Sequence, residues 1–82
     1  MSEGKWIRFE DAGTTTSCKT RRWSVVSKEQ GVELGTIDWF PRWRKYVFNP
    51  AYGTCYEQDC LRDIARFIEE RTREHRFAAA RV

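Results

Sequence analysis

The sequence predicts an α+β fold: an antiparallel four-stranded β-meander with one C-terminal α-helix packed on one face. Up to about residue 56, short apolar–polar alternations are separated by turn residues, the pattern of half-buried strands. From about Gln58 to Arg76, Cys60, Leu61, Ile64, Ala65, Phe67 and Ile68 recur at three- and four-residue spacing, the pattern of an amphipathic helix. Trial pairing of the strands also gathers the aromatic residues on one side and the polar residues on the other.

Taken in order, Lys5 to Glu10 reads as the first strand, with apolar Trp6, Ile7 and Phe9. Residues 11–17, Asp-Ala-Gly-Thr-Thr-Thr-Ser, read as a polar loop of residues that bond their own backbone. Thr20 to Ser27 is the second strand. Lys28-Glu29-Gln30-Gly31 is a turn in which Gly31 suits a left-handed position. Val32 to Phe40 is the third strand, broken by Pro41-Arg42. Trp43 to Asn49 is the fourth, closed by the turn Pro50-Ala51-Tyr52-Gly53, and Thr54 to Tyr56 reads as a short extended segment. Thr54-x-x-Glu57 matches a capping box, which competes with that extended reading. Glu57 and Asp59 suit the positive end of the helix dipole, and Arg71, Arg73, His75 and Arg76 its negative end.

A three-residue loop at Glu29-Gln30-Gly31 sets Val26 opposite Leu34, Trp23 opposite Ile37 and Arg22 opposite Asp38. A two-residue loop at Pro41-Arg42 sets Ile37 opposite Tyr46, Asp38 opposite Lys45 and Gly35 opposite Phe48. One face then carries Trp23, Val25, Ile37, Trp39, Tyr46 and Phe48. The other carries Arg22, Ser24, Thr36, Asp38 and Lys45, with Asp38 between two cations. The helix is expected across the aromatic face, where Leu61, Ile64 and Ile68 would contribute roughly 1.5–3 kcal/mol each on burial.

The chain has 82 residues, which predicts a single domain: sheet at about 5–56, helix at about 58–76, and a tail at 77–82 that extends the helix or frays. Four Trp, three Tyr and five Phe supply the apolar area that so short a chain needs. A net charge of +3 is mildly basic, which argues against an acidic DNA mimic and falls short of a dedicated nucleic-acid binder. No apolar run reaches the roughly 20 residues needed to cross a bilayer, and the first residues lack the apolar core of a signal peptide. With three cysteines, the expectation is reduced thiols in a cytoplasmic protein without membrane partners.

Catalysis is not expected. The one histidine, His75, lies about four helical turns from Cys60, a rise of roughly 22 Å, so no base stands beside a nucleophile. Cys18, Cys55, Cys60 and His75 are the elements of a zinc site, but no Cys-x-x-Cys knuckle is present, and no metal or other cofactor is expected. Cys60 reads as a small core residue with Cys55 packed near it.

Binding is the role left. Residues 39–48, Trp-Phe-Pro-Arg-Trp-Arg-Lys-Tyr-Val-Phe, hold five aromatics and three cations. Phe40 and Trp43 fall at the hairpin tip on the side away from the helix, flanked by Arg42, Arg44 and Lys45, with Arg22 nearby. Exposed Trp, Phe and Arg have hot-spot composition for a protein partner. The same rings and cations, with Arg21, also suit stacking on single-stranded nucleic acid. Pairing of copies through a free strand edge or the second sheet face is a third reading. Arg62, Arg66, Glu69, Glu70 and Arg73 mix signs at helical spacing, as solvated faces do.

The run Leu34-Gly35-Thr36-Ile37-Asp38-Trp39 followed by Trp43-Arg44-Lys45-Tyr46-Val47-Phe48-Asn49-Pro50, then Gly53-Thr54 and Cys60-Leu61-Arg62-Asp63-Ile64-Ala65-Arg66-Phe67-Ile68, resembles a group of small uncharacterised proteins encoded by phages and prophages. The likeness covers roughly residues 20–70. Phe40-Pro41-Arg42 stands where Tyr-Gly-Pro is expected, which changes the shape of the tip. The group carries no activity to transfer. The resemblance implies origin in a mobile element, where small single-domain proteins often inhibit host machinery stoichiometrically, anti-CRISPR proteins among them. The expectation is therefore a non-enzymatic protein that occludes a host protein or ribonucleoprotein complex; a nucleic-acid-binding accessory protein is the alternative.

Overall fold

The computed structural model describes residues 4–14 and 20–80; Cys18, part of the expected 11–17 loop and the end of the expected tail lie outside them. Four strands, β1 (Ile7–Thr14), β2 (Arg21–Ser27), β3 (Glu33–Phe40) and β4 (Lys45–Pro50), form one antiparallel sheet in the order β1-β2-β3-β4. A single helix, α1 (Gln58–Ala80), follows and packs on one face, so the architecture is the α+β meander-plus-helix that the alternation predicts.

The core lies between that face and the helix. Ile7 and Phe9 from β1, Trp23 and Val25 from β2, Ile37 from β3 and Tyr46 from β4 are buried against Cys60, Ile64 and Phe67. The phenyl ring of Phe67 stacks on Phe9 at 4.1 Å and meets the edge of Trp23 at 5.1 Å. Trp23 contacts Tyr46, Tyr46 contacts Trp39, and Trp39 contacts His75, so rings run continuously across the core. Such pairs add about 0.5–1.5 kcal/mol each beyond the area they bury. Phe48 lies over buried Gly35, where a Cβ would strike the Phe48 ring and the Asn49 carbonyl.

The register departs from expectation in two places. Trp23 faces Ile37 as expected, but a bulge after Val25 sets Val26 opposite Glu33 rather than Leu34. The β3–β4 turn is Pro41–Arg44, two residues longer than expected, and Trp43 belongs to the turn rather than to a strand. Ile37 therefore faces Phe48, Asp38 faces Val47, and Lys45 faces Phe40. A slip of two residues equals the side-chain period of a strand, so every side chain keeps its expected face while its cross-strand partner changes. Asp38 then binds one cation, Arg22, and accepts hydrogen bonds from Thr36 Oγ1 at 2.9 Å and Asn49 Nδ2 at 3.0 Å.

Other boundaries move as well. β1 begins at Ile7 and runs through the expected loop to Thr14, because Asp11 and Gly13 build a bulge instead of ending the strand: Gly13 has φ +100° and donates to Asp11 Oδ1 at 2.7 Å. Residues 54–56 are not a strand; Thr54 Oγ1 donates to the Ala51 carbonyl and the Tyr56 hydroxyl to the Leu34 carbonyl. Nor does Thr54 cap the helix. Glu57 does, accepting the Cys60 N–H at 2.7 Å while its own carbonyl accepts from Leu61. The helix continues past Arg76 to Ala80, so Arg73, His75 and Arg76 precede its last turn instead of facing its negative end.

The helix is also turned from its expected orientation. Its buried stripe is Cys60, Ile64 and Phe67, continued by Thr72, with Ile68 only partly buried and Leu61 50% exposed. Cys55 is exposed rather than packed beside Cys60.

Candidate partner-binding site

The β3–β4 tip is built from backbone chemistry that fixes its shape. Phe40 ends β3 on the side away from α1, since its neighbour Trp39 points to the helix and successive strand residues alternate. Pro41 then fixes its own φ. The Phe40 carbonyl accepts the N–H groups of both Trp43 and Arg44, at 3.2 and 2.9 Å. Closing the turn this way puts Arg44 at φ +56°, a left-handed conformation that costs a residue with a Cβ about 1–2 kcal/mol.

Two contacts from the helix hold the tip in place. Arg76 Nη2 donates to the Arg44 carbonyl at 3.2 Å, and the Tyr46 N–H donates to Thr72 Oγ1 at 3.1 Å. Both backbone groups belong to the free side of the outer strand or its entry, so α1 covers part of an edge that would otherwise be open. Neither Thr72 nor Arg76 stood out in the sequence as a positioning residue. The available signal was their four-residue spacing on one helix face.

On this support Trp43 is 62% exposed, and Phe40 braces it edge-on at 4.7 Å. Arg42, Arg44 and Lys45 surround the pair, exposed and without an ion-pair partner among the described residues. The structure thus brings five of the six candidate residues to one place: Phe40, Arg42, Trp43, Arg44 and Lys45. Arg22 stands apart, on the open sheet face with its guanidinium bound to Asp38. Arg21 is likewise engaged, with Asp11 at 2.6 Å. That pair and the Gly13 N–H hold the Asp11 carboxyl below its ordinary range, the backbone bond being the larger cause.

The groups with chemical reactivity lie elsewhere. His75 lies against Trp39 at 4.2 Å with the two rings tilted by 42°, four turns from Cys60 along the helix. Burial pushes the Cys60 thiol up, and the Glu57 carboxylate beside it adds to the shift, which disfavours a nucleophilic thiolate. Among the described residues no three His, Cys, Asp or Glu side chains are placed to hold a metal ion, and no helix is long and apolar enough to cross a membrane.

No protein-family model, curated protein or solved structure matches this chain. The functional reading therefore rests on the geometry of the site and on the resemblance described above.

Proposed function

We propose that the protein is a non-enzymatic binding protein of mobile-element origin that inhibits a host defence factor by stoichiometric occlusion, in the manner of anti-CRISPR proteins, with the β3–β4 tip as its contact. The observation that carries this reading is Trp43: a large ring 62% exposed, braced by Phe40 and ringed by unpaired cations on a turn whose Arg44 carbonyl accepts from Arg76 of α1. Exposing an aromatic costs folding energy that a core position would have gained. An exposed Trp with Arg neighbours is the composition of a binding hot spot. The resemblance to phage-encoded proteins supplies the biological setting by analogy.

The test is affinity capture from nuclease-treated host lysate with the native chain and with Trp43→Ala. Trp43→Ala is expected to keep the native circular dichroism and to cost about 0.5–1.5 kcal/mol of stability, the worth of its edge-on pair with Phe40. It is also expected to weaken the captured partner's affinity by at least about tenfold. Undiminished capture by folded Trp43→Ala removes the tip from the interface.

The unpaired state of Arg42, Arg44 and Lys45 beside an exposed ring also favours a second reading, a nucleic-acid-binding accessory protein using the same patch. Its salt dependence separates it from the first.

A further inference from the structure

We propose a second docking surface: the groove between the outer flank of α1 and the start of β4 receives an acidic segment of a partner protein, anchored by apolar side chains. The inference rests on the reading of the chain as a binding protein but uses residues other than Trp43 and Phe40.

Helical geometry explains why the groove exists. Cys60, Ile64 and Phe67 form the stripe buried on the sheet. Leu61, Ala65 and Ile68 each follow one residue later, about 100° around the helix. That second stripe is apolar too, yet among the described residues the sheet ends at β4, with no further strand beneath it. Leu61 is therefore half exposed, Ala65 exposed and Ile68 only partly buried. Further along, Phe77 is exposed and reaches the groove from farther round the helix. The resulting groove is open, about 810 Å³, with Ala65, Ile68 and Phe77 as its apolar lining.

The rim says what fits. Lys45, Arg73 and Arg76 stand against a single acid, Glu69. Neither Lys45 nor Arg73 is ion-paired among the described residues, and Arg76 spends one guanidinium nitrogen on the Arg44 carbonyl. An apolar floor beneath a cationic rim is complementary to a chain segment carrying aliphatic or aromatic side chains among carboxylates. Nucleic acid fits less well, because the floor is mainly aliphatic and Glu69 would face the phosphates. Addition of a partner strand at the start of β4 is disfavoured, since Thr72 already takes the Tyr46 N–H and Arg76 the Arg44 carbonyl. The occupant is read through its side chains.

The experiment pans a random 12-residue peptide library against the full chain, then measures the enriched peptides by fluorescence anisotropy. Three proteins are compared: the native chain, Ala65→Glu/Arg73→Glu, and Trp43→Ala. Both altered groove positions are exposed on a helix, so the double variant is expected to fold, which circular dichroism verifies. The expected result is enrichment of acidic peptides with apolar anchors that lose at least tenfold in affinity on the double variant and keep it on Trp43→Ala. Amide shift changes at Ala65, Ile68 and Arg73 on titration would place them in the groove. Peptides insensitive to the double variant, basic peptides, or no enrichment overturn the proposal. So does an oligonucleotide of equal charge that binds the groove as well as the peptides do. Peptides lost on Trp43→Ala alone overturn the groove while leaving the tip reading intact.

Discussion

At the scale of single residues, burial separates side chains that look equivalent in the sequence. Leu61 and Phe67 both fit the apolar helical period, yet Phe67 is 3% exposed between Phe9 and Trp23, whereas Leu61 is 50% exposed. Removing the Phe67 ring leaves a cavity in a packed core, so Phe67→Ala is expected to cost about 3–5 kcal/mol. Leu61→Ala loses only part of a side chain's transfer energy and leaves no enclosed void; about 1 kcal/mol or less is expected. Urea denaturation of the two variants measures the difference, and equal costs would mean that the helix is turned from the orientation described. Glu57 makes a residue-scale prediction about pH. Its carboxylate accepts the Cys60 N–H at the start of α1, and that bond is the main reason its pKa is lowered. The unfolded chain then binds this proton more readily than the folded one. The cap's contribution is complete above the ordinary Glu range, about pH 4.3, and is lost as the pH falls through the depressed folded value. Stability followed from about pH 6 to about pH 3 is expected to fall less steeply in Glu57→Gln than in the native chain, with Asp11 supplying part of the remaining slope.

At the scale of elements, the distinction is between what a repeating pattern specifies and what a single contact specifies. The aromatic face was legible because strand side chains alternate with period two, and the two-residue error in the β3–β4 turn preserved that parity. The turn length was not legible. Pro41 announces a turn, but the left-handed residue that closes it is Arg44, and nothing marks an arginine for that conformation as it would a glycine or asparagine. The course of β1 was hidden for the converse reason, since Asp11 and Gly13 look like loop residues and instead make a bulge. The tip's candidate residues were legible from their density of rings and cations, whereas the helix contacts that support the tip join elements far apart in the chain and leave no local mark. Thr72 is the clearest of these. It is buried, and its hydroxyl is the acceptor for the Tyr46 N–H on the outer strand. Thr72→Val keeps the shape and removes the acceptor, leaving a buried donor unsatisfied at a cost of about 1–3 kcal/mol. Thr72→Ser, which keeps a hydroxyl, is expected to lose less. Thermal denaturation of the pair reads the difference; a Val variant as stable as the native chain would show that water replaces the hydroxyl without penalty.

At the scale of the whole molecule, the distribution of charge matters more than its sum. The net charge is only +3, but many cations away from the tip are engaged: Arg8 with Glu10, Arg21 with Asp11, Arg22 with Asp38, Arg62 with Asp59 and Arg71 with Glu74. Arg42, Arg44 and Lys45 remain unpaired together beside Trp43. This asymmetry bounds the nucleic-acid reading. Three phosphate contacts on a single strand give a log–log salt slope of about −2, so affinity would fall roughly 20-fold between 50 and 200 mM salt. If the tip binds oligonucleotides, fluorescence titration should return about that slope, and Trp43→Ala should weaken binding by about 1–3 kcal/mol as a stacked base is lost. A much steeper slope would require cations beyond these three and would extend the site off the tip. No measurable binding at low salt removes the nucleic-acid reading. A protein partner anchored by the Trp43 ring should instead hold on with a shallower salt dependence, because apolar burial is not screened. The two readings of one patch therefore part on a single titration axis, ionic strength, with the same Trp43→Ala variant serving as the control in both.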